Sequence, residues 1–237
     1  MLSFKALDGR NLRMSGVAED DLRITLRAPV VTGERERPTA VTFQRNVTLD
    51  QLRAEALPTH VKVDAVREYV YAGRPLLIAQ LRFLQSLEKT TLPPRLVMWI
   101  GWQSKSGVLR TAFESDSFAA AAELFERVRF DDTPDGLVIE SPIDESSRPV
   151  AMLAYAPSLG LIDSSPRDSI SNAGRVPTNE GTATAGGAKM YWTSTRQRSV
   201  LLVHETAITT VQPTANQDLA GVADLEISWT RDPSTSG

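Results

Sequence analysis

Cysteine is absent from this chain of 237 residues, which excludes disulfides, thiolate nucleophiles and cysteine metal sites. Only two histidines are present, His60 and His204, whereas a metal site usually needs several imidazoles close together. No apolar run is long enough to cross a membrane, and residues 1–10 lack the apolar core of a signal peptide. These absences predict a chain with no metal, no cofactor and no membrane partner.

Motifs of the common enzyme classes are also missing. The sequence contains no Gly-x-Ser-x-Gly elbow, no Gly-x-Gly-x-x-Gly fingerprint and no phosphate-binding loop. Asp131, Thr133 and Asp135 resemble the opening of a calcium loop, but Pro142 stands where that loop ends on glutamate. The sequence therefore predicts a turn at residues 131–136 and a protein that is not an enzyme.

Charge is unevenly distributed along the chain, although the net charge is only −3. Residues 1–110 carry 17 Lys and Arg against 11 Asp and Glu, whereas residues 111–185 carry 5 against 13. Most cations are arginines, whose planar guanidinium binds phosphate through two hydrogen bonds. Glutamates within residues 33–38 also favour a solvated, self-neutralising loop there. Four arginines are the candidates for RNA contact: Arg10, Arg13, Arg35 and Arg37.

Apolar and polar residues alternate in many short runs, as is typical of strands with one buried face. A capping box at Thr48 and Gln51 predicts a helix over 49–57, and Ser117 or Asp116 caps a second helix over 117–128. Residues 76–84 fit both the strand and the helix period. Strands are predicted over residues 21–27, 39–48, 95–102, 137–140, 149–155, 199–211 and 223–230.

The last of these strands places Leu225, Ile227 and Trp229 on one face. Together with residues 199–211 it predicts that the chain closes with two paired antiparallel strands. Trp99 and Trp229 lie in apolar strands, which favours a place in the core, and His204 is expected to be structural. Residues 164–189 are expected to form one long surface excursion. No internal repeat is visible.

Two separated stretches carry a family resemblance. Residues 69–84 and 93–104, joined by a turn with Thr and Pro, are similar to the middle strand pair of tymovirus-like coat proteins. The closing segment, with a polar loop, a final alternating strand and a Ser/Thr tail, is similar too. This resemblance implies a single jelly-roll β-sandwich of two four-stranded sheets. It also implies that residues 76–84 form a strand.

The sequence and this resemblance together predict a mainly β protein, a single jelly-roll β-sandwich with a few short helices. Residues 1–20 are expected to be an N-terminal arm, 21–232 the shell domain and 233–237 a flexible tail. The predicted function is that of a viral coat protein, which assembles with copies of itself into an icosahedral shell around genomic RNA. Its predicted location is the virion, and the host cytoplasm during assembly.

Two alternatives remain open at this point. Residues 69–73 and 96–100 also resemble plant-virus movement proteins, which bind single-stranded RNA. That family has an aspartate after its second apolar strand, whereas this chain continues with Gly101, Trp102, Gln103 and Ser104. The other alternative, from a different class, is a β-sandwich module that binds a ligand.

Overall fold

The computed structural model describes residues 1–19, 22–31, 38–55, 61–83, 95–146, 148–172, 174–193, 199–213 and 219–231. These residues are mainly β, which confirms the predicted fold class. The first eight strands are β1 (Leu2–Lys5), β2 (Asn11–Ser15), β3 (Arg23–Val30), β4 (Thr39–Arg45), β5 (Val61–Tyr71), β6 (Arg74–Phe83), β7 (Arg95–Gln103) and β8 (Gly107–Glu114).

Among the described residues, two α-helices and two short 3-10 helices lie between the strands. Helix α1 (Leu49–Glu55) separates β4 from β5, and α2 (Phe118–Arg127) follows β8. Short 3-10 helices lie at Ile170–Asn172 and Leu219–Asp224. The strands of the second part are β9 (Phe130–Thr133), β10 (Gly136–Ile139), β11 (Ala151–Ala156), β12 (Gly160–Pro166), β13 (Thr182–Ala183), β14 (Lys189–Trp192), β15 (Val200–Val203), β16 (Ala207–Gln212) and β17 (Glu226–Thr230).

One sheet of 12 strands dominates the molecule, and its strand order repeats in the two halves of the chain. From the centre outward, one half runs β3-β4-β8-β7-β6-β5 and the other runs β11-β12-β16-β15-β14-β13. In each half a hairpin is followed by four strands, the last of which pairs with the outer strand of the hairpin. β3 and β11 pair antiparallel at the centre, so an approximate two-fold axis relates the halves. The sequence shows no trace of this repeat.

Two smaller sheets obey the same approximate symmetry. β9 ends the first half and pairs with β10, which opens the second half. β17 ends the second half and pairs with β2, which lies just before β3 in the first half, while β1, the first strand of the chain, flanks β2. The predicted pairing of the two closing segments is therefore wrong: residues 199–211 form the β15–β16 hairpin, and β17 belongs to a different sheet.

The main core lies between one face of the large sheet and the two smaller sheets. Its central members include Phe43 and Trp102 from the large sheet, Leu12 from β2, Phe125 from α2 and Ile227 from β17. Two satellite clusters lie on the opposite face of the large sheet. One packs α1 on β6, β7 and β8, and the other gathers around β14, β15 and β16. Between these clusters Leu153 and Tyr155 of β11 are exposed, so no described element covers the middle of that face.

The structure confirms the predicted caps of both helices. Gln51 N–H donates to Thr48 Oγ1 (3.2 Å) and Thr48 N–H donates to Gln51 Oε1 (2.8 Å), so the capping box before α1 is confirmed. Ser117 caps α2 by accepting from the Ala120 N–H at 3.3 Å. Residues 76–83 form a strand within β6, as the resemblance implies. β7 contacts the main core on one face and the cluster around α1 on the other.

Larger-scale predictions were less accurate. The expected arm at residues 1–20 is wrong for residues 2–15, because they form the β1–β2 hairpin and bury Phe4 and Leu12 in the core. The expected excursion at 164–189 begins inside β12 and includes β13. The jelly-roll arrangement is not confirmed, since the strands form sheets of 12, three and two strands. The predicted tail, 233–237, lies outside the described residues.

Candidate assembly edge

The large sheet ends in two edges of very different length. One edge is β13, with only two residues, and the other is β5, with 11 residues. Within the described part of the chain, β5 pairs with β6 alone, so its outer N–H and C=O groups have no strand partner. A long open edge of this kind is a template for pairing with another strand.

The two ends of β5 differ in how open they are to a new partner. Near its start, the pairing with β6 shifts register between Val63 and Ala65, and such bulges discourage edge pairing. From residue 66 onward the pairing is regular until the turn at Ala72 and Gly73, which both have positive φ. Residues 66–71 are therefore the part best suited to receive a strand, and we call them the open edge.

Apolar side chains are exposed along the open edge. Val70 is 76% exposed, while Val66 and Tyr69 are each 38% exposed. A narrow apolar groove of about 40 Å³ adjoins them on the α1 side, between Val66 and Trp99. This groove is too small for a drug-sized ligand. It instead extends the apolar surface available to a protein that pairs with β5.

The arginines predicted to contact RNA lie in different environments. Arg10 is only 9% exposed, which speaks against its predicted contact with RNA. Arg13 is exposed on β2, so its contact with RNA stays a prediction. Arg35 and Arg37 lie outside the described residues.

Arg10 instead lies close to three acidic side chains. One of them belongs to the same turn, and the other two come from distant parts of the chain. Its guanidinium lies 3.3 Å from Asp8, 3.7 Å from Glu145 and 3.5 Å from Asp168. The close approach of Arg10 Nη1 to Asp8 Oδ2 has no hydrogen-bond alignment, since both atoms are buried without such a partner. Burial raises the pKa of Asp8 despite the attraction of Arg10. The cluster connects the β1–β2 turn to two later loops.

The one histidine among the described residues is buried. His204 is 5% exposed, and burial lowers its pKa, which favours the neutral imidazole. Its Nε2 has no hydrogen-bond partner among the described residues. In that same part of the chain, no group of three or more His, Asp or Glu side chains could hold a metal ion. Nor is any described helix long and apolar enough to span a membrane.

Comparison with known proteins gives no relative. No protein-family model, no curated protein and no solved structure matches this chain. The resemblance to coat proteins consequently stays a prediction, and the function must be argued from the geometry of the chain itself.

We expect Arg10→Met to lower the free energy of unfolding by about 3 kcal/mol, because it leaves the largely buried side chains of Asp8 and Glu145, 11% and 19% exposed, without this cation. The expected loss is at the lower end for buried ion pairs, since Asp168 is 59% exposed. Urea denaturation measures it. The matched variant Arg13→Met, on an exposed site, should stay within about 0.5 kcal/mol of the wild type. Equal stabilities of the two variants would contradict the structural role of Arg10.

Proposed function

We propose that this chain is a structural protein that associates with copies of itself through the open edge of β5. The specific role that we propose is that of a coat subunit of an RNA virus, as the sequence resemblance suggests. The observation that carries the proposal is the outer edge of the 11-residue β5, which has no strand partner among the described residues and exposes Val66, Tyr69 and Val70. The work of such a protein is association, and its surface rather than a catalytic site performs it.

A second copy is the partner that fits this edge best. Two β5 strands can pair antiparallel about a two-fold axis, which gives a closed contact with the same residues on both sides. Head-to-tail growth would instead have to join β5 to β13, which offers only two residues. The short β13 therefore favours a closed dimer over an open fibre.

Charge selects the register of this pairing. In an antiparallel pair about a two-fold axis, opposed residues share a face, so one residue faces its own copy. An axis at Arg67 or at Glu68 would oppose two like charges, which is unfavourable. An axis at Tyr69 opposes Glu68 to Val70 and Arg67 to Tyr71 of the second copy. An axis at Val70 would also avoid like charges, but it pairs only residues 69–71 of the open edge, whereas an axis at Tyr69 pairs residues 67–71. We therefore expect Tyr69 to lie on the axis.

The first test of the proposal is the size of the protein in solution. We expect the wild type to be at least a dimer, and Val70→Lys to be a monomer, because a lysine on an edge strand opposes pairing. Ile170→Lys is the control, since Ile170 is 74% exposed on a 3-10 helix and Val70 is 76% exposed. Sedimentation measures the mass, and electron microscopy would show uniform spherical particles for a coat subunit.

The outcomes of this test are distinct. A wild type that stays monomeric at high concentration contradicts self-association. A dimer that resists Val70→Lys but yields to Ile170→Lys contradicts the choice of edge. Circular dichroism and thermal melting of both variants establish that they are folded.

The register is tested by cross-linking, for which the natural absence of cysteine is an advantage. In the expected register, Tyr69→Cys places two sulfurs within disulfide reach across the axis, because opposed Cα atoms lie about 4.5–5.5 Å apart. Mild oxidation should therefore produce a covalent dimer. Leu153→Cys, 36% exposed on the face of the large sheet, should not cross-link. Equal cross-linking of both variants would show random collision and contradict the register.

A further inference from the structure

A row of polar side chains crosses the open middle of the large sheet, on the face opposite the main core. Arg27 of β3 is paired with Thr42 of β4, and Thr42 is paired with Arg110 of β8. Paired residues point to the same face, so the two guanidinium groups flank one threonine. Their Cα atoms are about 10 Å apart, which is two strand spacings. We call these three residues the arginine row.

Arg110 is a cation without a carboxylate partner. Its Nε donates to Thr42 Oγ1 at 2.9 Å, and no described carboxylate lies within ion-pair distance of it. Burial lowers the pKa of Arg110 by desolvating its charge. An arginine still keeps its proton at neutral pH. The row therefore has an uncompensated positive charge.

A pocket of about 430 Å³ adjoins the row at Arg27. Arg148 also lines this pocket, is exposed, and forms no ion pair within the described ranges. The other described residues of the lining are small and apolar, and none of them is acidic: Ala28, Pro29, Pro38, Ala40 and Pro149. A volume of this size is within the range of pockets that bind small ligands, about 300–1,000 Å³.

Arg27 forms only a weak ion pair, with Asp163 on the same face of the sheet. Its Nη2 lies 3.7 Å from Asp163 Oδ2, but the two side chains are 39% and 44% exposed. Exposed pairs of this kind contribute little and exchange readily. The Arg27 Nε is buried and has no hydrogen-bond partner among the described residues. An oxyanion that enters the pocket would give this donor an acceptor.

We propose that the pocket binds a phosphate group carried beside a planar ring, as in a nucleotide. Arg27 and Arg148 contact the phosphate, because guanidinium forks match its oxygens. The proline and alanine walls pack against the ring, and Arg110 adds positive potential beside them. Both a free nucleotide and one unit of an RNA chain supply this chemistry. The site is separate from β5, so it does not depend on the proposed assembly.

Binding of uridine monophosphate, of an oligouridylate of about ten nucleotides and of inorganic phosphate is measured by calorimetry at low salt. We expect Arg27→Gln and Arg148→Ala each to weaken binding about tenfold, since each removes a charge-assisted hydrogen bond. Arg129→Ala is the control: it removes the same charge from an exposed site after α2 and should leave affinity unchanged. Arg148 is exposed, so its variant should fold normally.

The outcomes separate the two sources of phosphate. Binding of the mononucleotide with this variant pattern supports the pocket and a small-molecule ligand. Binding of the oligonucleotide alone, with the same pattern, supports the pocket and a polymer. The proposal is overturned if no probe binds, or if Arg129→Ala weakens binding as much as Arg148→Ala. Repeating the measurement on the Val70→Lys variant separates this result from the outcome of the assembly test.

Discussion

The antiparallel pairing of β3 with β11 is the constraint on which the rest of this structure depends. It runs from Arg27 opposite Ala151 to Arg23 opposite Tyr155 and joins two halves of equal topology. Without it, each half would present an open strand at the middle of the molecule. With it, Leu26 and Met152 enter one continuous core. The open edges are thereby moved to the two far ends of the sheet, at β5 and β13.

The two halves share a topology but differ in what they expose. The outermost strand has 11 residues in the first half and two in the second, so only one end of the sheet is a long template. With the axis through the Thr25–Leu153 pair, the arginine row corresponds to Tyr155, Leu161 and Gln212 in the second half. In this nearly symmetric scaffold, the proposed association edge belongs to the first half, and the proposed cationic pocket lies at the centre, where residues of both halves meet.

Sequence reasoning succeeded where the determinant was local. The cap at Ser117 and the box at Thr48 lie within three residues of the groups that they bind. It failed where the determinant was a distant pairing. The two halves share equivalent strand pairings but no visible sequence similarity, so the repeat could not be predicted. Strands β1 and β2 have only four and five residues, and the turn signals beside them favoured an irregular arm. Closing strands can pair anywhere in a sheet, and β17 paired with β2.

The candidate sites could not be predicted from the sequence either, because they also depend on residues that are distant in the chain. The charge of Arg10 makes it a candidate for RNA contact in the sequence. Two of its acidic partners, Glu145 and Asp168, are far away in the sequence, so the ion cluster could not be predicted. Arg27 and Arg148 lie in different halves of the chain and meet only because β3 pairs with β11. That β5 is a strand could be predicted in part from its Tyr and Val content. Its position at an edge follows from the whole sheet order.

Hydrogen exchange of the Val70→Lys variant, which we expect to be monomeric, tests the central pairing most directly when it is resolved by residue. If β3 and β11 join the halves into one cooperative sheet, their amides exchange together and among the slowest, through global unfolding. The amides of residues 66–71 whose N–H groups point to the open edge should exchange much faster. Faster exchange in β3 and β11 than in the flanking β6–β7 and β15–β16 pairs would mean that the halves unfold separately, and would contradict this account.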